Sequence, residues 1–142
     1  MSTVREILDA KGRDVHSIAP DATVFAAVQS MSDHGIGALL VLDEGRIAGI
    51  VTERDYARKV ILSGRSSRDC PVRDVMTRKV LCVTPERSVS ECMALMTEKR
   101  ARHLPVIEQK SPVGLVSIGD LVKAHIKDQN ILIEQLKHYI SG

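Results

Sequence analysis

The chain has 142 residues, a length that suits one domain or two small ones, and 44% of them are hydrophobic. Tryptophan is absent and aromatic residues are scarce, which argues against the stacking platforms of proteins that bind single-stranded nucleic acid. The formal net charge of +2 is too small to support a general polyanion-binding role. No apolar run approaches the ~18 residues of a membrane span, and no signal-peptide core is present. We therefore expect a soluble cytoplasmic protein with neither a membrane nor a nucleic acid as partner.

Cysteine and histidine residues do not suggest a metal site or an active site. The three cysteines, Cys70, Cys82 and Cys92, are odd in number and lack metal-ligand spacing, which fits a reducing compartment. Cys92 falls on the apolar face of a predicted helix, so we expect a small core residue there. The histidines show no metal-like grouping, and no nucleophile is paired with a base. The sequence therefore predicts neither a bound metal nor catalysis.

The first half of the chain predicts a helix, a short extended piece, a second helix, a strand hairpin and a third helix. Val24, Ala27, Val28 and Met31 recur at helical spacing, and Gly35 follows as a stop. The predicted elements are a helix at 3–8, an extended piece at 15–18, a helix at 24–33, strands at 38–42 and 47–51, and a helix at 53–62.

The second half repeats this order after a polar, glycine-containing linker at 63–71. Its last helix is expected to begin near Ile118 and to run to about Tyr139, so it has extra length without a counterpart in the first half. A lone helix gains little stability in water, so this tail should pack on the body or on another chain. The other predicted elements are a short helix at 72–76, a strand at 80–83, a helix beginning at 89, and strands at 103–107 and 113–117.

One motif occurs twice, and it organises the interpretation. The stretch 49–55 (GIVTERD) recurs as 114–120 (GLVSIGD), displaced by 65 residues (114 − 49), and no gap is needed between 18 and 56. In each copy Thr52 or Ser117 stands at the junction of a strand and a helix, and Asp55 or Asp120 follows three residues later. The hydroxyl can cap the new helix, whose N-terminus suits a phosphate, and the carboxylate can accept hydrogen bonds from a ribose. A purely structural cap is the alternative.

A repeat of this order that ends each hairpin with Gly-h-h-[Ser/Thr]-x-x-Asp, where h is apolar, resembles the cystathionine-β-synthase (CBS) domain. The chain looks like a stand-alone CBS pair, the Bateman module. The resemblance implies an α/β (α+β) fold with a β-α-β-β-α unit in each half, packed about a pseudo-two-fold axis. The expected boundaries are repeat 1 at 3–62, repeat 2 at 72–126 and a helical extension at 127–142.

The resemblance also implies two adenine-nucleotide clefts, each built from both repeats. In the first cleft Asp55 would hold the ribose beside Thr52. The residues opposite would be Lys79, Val80 and Leu81, which flank the base, and Arg102 and His103, which reach the phosphates. The second cleft would use Ser117 and Asp120, and its base would be flanked by Asp14, Val15, His16, Ile36, Gly37 and Ala38.

The two clefts differ in predicted charge. Arg100, Arg102 and His103 precede the second hairpin, whereas glycines and an alanine hold the matching positions in the first, and Arg54 lies inside the first motif. Phosphate binding relies on fixed donors and guanidinium groups. We therefore expect the Thr52–Asp55 cleft to hold phosphates more tightly. Arg58 and Lys59 are expected to form a solvated helix face.

These observations predict a non-catalytic sensor whose ligand is AMP, ADP, ATP, a dinucleotide such as NAD(H), or S-adenosylmethionine. Ligand occupancy would shift the population of conformations, and an unidentified regulated protein would respond. A homodimer of CBS pairs is expected. The main alternative is a structural scaffold dimer with degenerate clefts; a nucleotide-processing enzyme and a nucleic-acid binder are the other two.

Overall fold

The computed structural model describes residues 2–141 and contains helices and strands in the order that the repeat predicts. The α-helices are α1 (Val4–Lys11), α2 (Val24–His34), α3 (Glu53–Asp55, continued as a π-helix over Tyr56–Ile61), α4 (Val89–Lys99) and α5 (Ile118–Ser141). The strands are β1 (Ser17–Ile18), β2 (Ala38–Asp43), β3 (Arg46–Thr52), β4 (His103–Glu108) and β5 (Ser111–Ser117), and a single 3₁₀ turn covers Val72–Asp74.

Two small sheets carry the hairpins that the sequence predicts. β1 pairs in parallel with β2, and β2 pairs antiparallel with β3, while β4 and β5 form a second antiparallel pair. The register of the first hairpin shifts between Val41 and Leu42, and that of the second shifts between Val106 and Ile107. These irregularities lie 65 residues apart (106 − 41), so the repeat extends to the detail of strand pairing.

One local prediction is wrong, and one predicted helix differs in its hydrogen bonding. A strand is expected at 80–83, but only Val83 pairs, in a parallel bridge to Val106. A short apolar run alone does not separate a strand from an extended segment, because its pairing depends on residues far away in sequence. The helix expected at 53–62 begins at Glu53, but it widens to π-helical hydrogen bonding from Tyr56 to Ile61.

The compact units of the structure do not follow the repeat boundaries. The repeat-1 unit consists of residues 15–80, and the repeat-2 unit consists of residues 2–14 together with 81–141. Helix α1, which begins the first repeat in sequence, packs against β5 and α5 of the second. The 3₁₀ turn that begins the second repeat contributes Val72 to the core of the first. Each repeat is therefore completed by the N-terminal segment of the other.

Two equivalent glycines make these exchanged packings possible. A Cβ added at Gly114 of β5 would lie 2.6 Å from the Leu8 side chain of α1. A Cβ added at Gly49 of β3 would lie 2.6 Å from the Thr77 carbonyl oxygen and 3.0 Å from Met76 Sδ. Because a real Cβ does not approach other atoms so closely, a side chain at position 49 would collide with backbone, and one at position 114 would require the Leu8 side chain to move.

The cores are aliphatic, as the shortage of aromatic residues requires, and each unit has its own. The prediction that Cys92 is a small core residue is confirmed, since it is 1% exposed. The repeat-1 core consists of Val24, Ala27, Met31, Leu39, Val41, Val51, Val60, Cys70, Val72, Val75 and Met76. The repeat-2 core consists of Val4, Ile7, Leu8, Val83, Val89, Cys92, Met96, Leu104, Val106, Val116 and Leu121.

Helix α5 begins in the repeat-2 core and continues far beyond it. Leu121 is fully buried, and Ile118 and Ala124 pack against the core, but every described side chain from 129 to 141 is exposed. Within the described chain the tail therefore has no packing partner. None of the helices in residues 2–141 is both long enough and apolar enough to cross a membrane.

Candidate functional site

The first copy of the motif forms a complete capping box at the end of β3. Thr52 is extended, and its Oγ1 accepts a hydrogen bond from the Asp55 backbone N–H at 3.1 Å. Asp55 Oδ2 in turn accepts hydrogen bonds from the Thr52 N–H at 3.0 Å and from the Thr52 hydroxyl at 3.1 Å. The hydroxyl and the carboxylate are therefore held rigidly at a helix start, where partial positive charge favours an anion.

Asp55 is drawn inward and paired with a cation. Its residue exposure is 9%, and its Oδ1 lies 3.1 Å from Lys59 Nζ, one helical turn later. Lys59 also donates a hydrogen bond to the Val75 carbonyl oxygen at 2.8 Å. Arg58 and Lys59 are both exposed, as expected of a solvated helix face, and the Lys59 ammonium group also pairs with the buried carboxylate. Both oxygens of Asp55 have partners within the protein.

The second copy reproduces this geometry at the junction of β5 and α5. The Ser117 N–H donates to Asp120 Oδ2 at 2.9 Å, and the Asp120 N–H donates to Ser117 Oγ at 3.2 Å. The Asp120 side chain is 24% exposed, more than that of Asp55. Its contacts run through Oδ2, and Oδ1 accepts no hydrogen bond from the described residues. Oδ1 of Asp120 thus keeps its capacity to accept a hydrogen bond.

Lys11 is a site residue that the sequence did not indicate. Its Nζ lies 2.7 Å from Asp120 Oδ2 and also donates to the Leu115 carbonyl oxygen at 2.9 Å. Burial alone would raise the pKa of Asp120, but the Lys11 ammonium and the Ser117 N–H outweigh it, so the pKa lies below its ordinary value. A separation of 109 residues hides this pair, whereas the i,i+4 spacing of Asp55 and Lys59 was visible in the sequence.

Arg102 and His103 lie beside the second motif within the repeat-2 unit. His103 stands opposite Ser117 in the β4–β5 ladder, and the Arg102 carbonyl oxygen accepts a hydrogen bond from the Ile118 N–H at 2.9 Å. Burial lowers the pKa of His103, and Lys11 and Arg102 lower it further, while Asp120 acts in the opposite direction. A neutral imidazole near neutral pH can donate one hydrogen bond and accept another.

The matching positions of the repeat-1 unit have the same backbone geometry without the charge. The Gly37 carbonyl oxygen accepts a hydrogen bond from the Glu53 N–H at 3.1 Å, and Ala38 stands opposite Thr52. The His16 carbonyl oxygen accepts from the Leu40 N–H at 3.2 Å, and the His16 ring lies 4.0 Å from that of His34. A ligand beside the first motif would therefore meet small residues and backbone groups where the second motif offers Arg102 and His103.

The remaining predicted site residues divide between the units. In the repeat-1 unit Arg54 and Lys79 are exposed, and Val15, Ile36 and Val80 are half-buried. In the repeat-2 unit Asp14 is exposed and Leu81 is half-buried, packed against the core. The clefts that the resemblance implies combine residues of both units, and those combinations stay predictions. Among residues 2–141 no group of three or more histidine, cysteine or acidic side chains is placed to hold a metal ion.

Comparison with known proteins agrees with this architecture. A family model described as the CBS domain matches residues 4–62 and again residues 72–127. The CBS domain-containing protein CBSX3, mitochondrial, of Arabidopsis thaliana is 43% identical over 150 residues, which cover 99% of this chain and 73% of that protein. Nearly the whole length of this chain is thus similar to that protein.

Solved structures match in the same way. A putative signal-transduction protein with CBS domains from Burkholderia ambifaria MC40-6 superimposes with a TM-score of 0.87 at 54% identity, covering 90% of this chain and 96% of that one. A CBS domain pair in complex with 5′-methylthioadenosine and S-adenosyl-L-methionine has a TM-score of 0.80 at 21% identity, covering 90% and 98%, a likeness of fold alone. With two sheets, a repeat preserved down to its strand irregularities, and both halves matched by the same family model, the chain belongs to the CBS domain family.

Proposed function

We propose that the chain is a regulatory module that binds an adenine nucleotide at its two Thr/Ser-x-x-Asp motifs and signals occupancy by a change of conformation. CBS domain pairs are in general regulatory modules that bind adenosine-containing ligands. The candidates are AMP, ADP, ATP, NAD(H) and S-adenosylmethionine, because all share the ribose and adenine that these motifs would contact. The observation that carries the proposal is the pair of capped carboxylates displaced by 65 residues, each set at a helix start.

The chemistry of the second motif suits a ribose. Asp120 holds Lys11 and the Ser117 N–H on Oδ2, so a ribose hydroxyl can donate to Oδ1 without displacing either partner. A hydrogen bond to a charged acceptor contributes about 1.5–3 kcal/mol. Arg102 and His103, which the resemblance assigns to the phosphates of the Thr52–Asp55 cleft, belong to the same unit as the second motif, and the double variants described below decide which carboxylate shares a ligand with them.

The first motif is more fully satisfied before any ligand arrives. A ribose that reached Asp55 would have to share Oδ1 with Lys59 or displace it. A displaced ammonium could then serve a phosphate, so the ligand would exchange one ion pair for another. We propose that the two motifs therefore differ in nucleoside affinity, and that the Ser117–Asp120 motif fills first.

No catalytic role is part of the proposal, because the carboxylates and hydroxyls of both motifs are engaged as caps. The response to occupancy would be read by a regulated protein or by a second copy of the chain, and the location would be cytoplasmic. A scaffold dimer without ligand is the alternative. It is favoured by one observation, since the lysines already neutralise both carboxylates in the absence of any nucleotide.

Titration calorimetry and thermal melts of the full chain test the proposal with AMP, ATP, NADH and S-adenosylmethionine. A ligand at 100 times its Kd should add about 2.7 kcal/mol of stability. Asp120→Asn should lower the nucleotide affinity of the Ser117–Asp120 motif by roughly 10-fold or more, and Asp55→Asn should lower that of the Thr52–Asp55 motif. The loss of the carboxylate charge removes about 1.4 kcal/mol or more of binding free energy. Asp69→Asn, at an exposed carboxylate outside both motifs, is the matched control.

Arg102→Ala, measured with both adenosine and ATP, reports the phosphate contact. We expect weaker ATP binding with adenosine affinity unchanged. Combining it with Asp55→Asn or with Asp120→Asn then shows which carboxylate shares a ligand with Arg102, because the effects of residues at one site are not additive. No stabilisation by any of the four nucleotides would favour the scaffold.

A further inference from the structure

The C-terminal half of α5 presents large apolar side chains to solvent. Tyr139 and Ile140 are 85% and 82% exposed, and the other apolar side chains of the helix that face solvent are 39–53% exposed. So long an apolar stretch is unusual on a monomer and marks an interaction surface. The exposed apolar residues of the helix are Val122, Ile126, Ile131, Leu132, Ile133, Leu136, Tyr139 and Ile140.

Most of these residues follow a heptad repeat. A seam that alternates steps of four and three residues passes through Val122, Ile126, Gln129, Ile133, Leu136 and Ile140. In heptad terms isoleucine holds each a position, and valine, glutamine and leucine hold the d positions. β-Branched residues at a with leucine at d favour a parallel coiled coil of two helices. We call this set the α5 seam.

The α5 seam is a different face of the helix from the one that packs on the body. Leu121 lies in the repeat-2 core, and Ile133 follows twelve residues later, which at 3.6 residues per turn rotates it by about 120°. Asp128, on the body side, accepts hydrogen bonds from the Ser2 N–H at 2.9 Å and the Ser2 hydroxyl at 2.6 Å. Because the body holds one face of the helix, the seam stays available to a partner.

We infer that α5 pairs with α5 of a second copy of this chain as a short parallel coiled coil along the α5 seam. A parallel pair in register is self-complementary, since each isoleucine meets its own counterpart and Gln129 can hydrogen-bond to Gln129 of the other copy. At the flanking g and e positions Leu132 would lie near Lys137 of the other copy, whose alkyl stem can cover it without a clash of like charges. This inference is independent of nucleotide binding.

The exposed part of the seam spans only about two heptads, from Ile126 to Ile140. Coiled coils this short are weak by themselves. Pairing should therefore depend on protein concentration.

Sedimentation equilibrium of the full chain over a range of concentrations provides the test, with two matched substitutions. Ile133 and Ile131 are 46% and 48% exposed, but only Ile133 lies on the α5 seam, whereas Ile131 is on the outer face. Ile133→Lys should reduce association at least 10-fold, and Ile131→Lys should leave it unchanged. Circular dichroism melts check that both variants fold, since neither side chain is in a core. A monomeric wild type, or equal effects of both substitutions, would overturn the inference.

A cross-linking measurement checks the relative orientation of the two paired α5 helices. In a background with the exposed Cys82 replaced by serine, Ile140→Cys should give a covalent dimer with a short bismaleimide, because parallel strands bring the two thiols together. The outer-face variant Ile131→Cys should not. In an antiparallel pair of helices, position 140 of one copy would lie at the opposite end of the seam from position 140 of the other. Failure of the Ile140→Cys variant to cross-link would therefore contradict the parallel pair.

Discussion

Two carboxylates and two lysines define the candidate site at the scale of residues. The sequence predicted Asp55 and Asp120 from their spacing, and in the structure both accept hydrogen bonds from the residue that ends the strand, with Asp55 buried and Asp120 partly exposed. The structure adds Lys59 and Lys11, whose ammonium groups balance the buried charge. A buried carboxylate without a cation would be costly, so these lysines are what allow the acidic residues to sit at the sheet ends before a ligand binds.

Replacing Lys11 by methionine should raise the pKa of Asp120. The folded value now lies below the ordinary value of 3.8, so the ionised carboxylate contributes stability that is present above pH ~3.8 and is lost as the pH falls through the folded value. Without the ammonium that contribution shrinks, and burial is opposed only by the Ser117 hydrogen bonds. We expect a loss of about 1 kcal/mol at pH 7, modest because both side chains are partly exposed.

Carboxyl-carbon NMR titration of Asp120 and urea unfolding at neutral pH measure the two effects. Lys127→Met, an exposed lysine on the same helix, is the control and should change neither quantity. An unchanged Asp120 pKa in Lys11→Met would mean that the ion pair does not form in solution.

Local signals placed most elements correctly. Thr23 and Ser88 cap α2 and α4, and each accepts a hydrogen bond from the N–H three residues later. Gly35 ends α2 in the left-handed conformation, and Arg100 takes that conformation at the end of α4, although it is not a glycine. Such caps depend on neighbours in sequence, so a short window contains the information.

At the scale of elements, a segment packs closely on a strand at Gly49 and at Gly114. Replacing each glycine by alanine should change the free energy of unfolding by a different amount. At Gly49 the added Cβ meets a backbone carbonyl oxygen, Thr77 O, which also accepts a hydrogen bond from the Ile50 N–H at 3.0 Å. At Gly114 it meets only the end of the Leu8 side chain, which can rotate. We expect Gly49→Ala to cost about 3 kcal/mol and Gly114→Ala about 1 kcal/mol of unfolding free energy.

Urea unfolding of the single variants and of Leu8→Ala/Gly114→Ala measures this difference. The double variant should be more stable than the sum of its single effects predicts, because alanine at position 8 leaves room for the new methyl group. Purely additive effects would show that Leu8 does not limit the space at Gly114.

At the scale of the whole molecule the main finding is that the units cross the repeat boundaries. Helix α1 belongs to the repeat-2 unit, and the 3₁₀ turn at Val72–Asp74 belongs to the repeat-1 unit. The sequence repeat 4–62 therefore lacks part of its own core. Val72, Val75 and Met76 are all buried in the core of the repeat-1 unit, and their removal would leave a large cavity in that core.

Two fragments of equal length test this arrangement. Residues 15–80 contain the complete repeat-1 core, whereas residues 1–66 lack Cys70, Val72, Val75 and Met76. Since a domain of about 60 residues is marginal even when complete, the first fragment should unfold cooperatively and the second should not fold. Thermal melts followed by circular dichroism compare the two fragments. Val72→Asp in the 15–80 fragment should abolish its unfolding transition. Cooperative unfolding of 1–66 would contradict the exchanged packing.

The sequence by itself determined the repeat, the order of helices and hairpins, and the two acidic motifs, because caps, turns and apolar periodicity are set by residues a few positions apart. Only the tertiary structure showed that Lys11 joins Asp120, that Val83 makes a single bridge instead of a strand, and that each unit takes its N-terminal segment from the other half. These depend on contacts between residues far apart in sequence, 109 positions for Lys11 and Asp120 and 126 for Ser2 and Asp128. Their partners are selected by shape and charge in the folded chain, and no local pattern in the sequence records that choice.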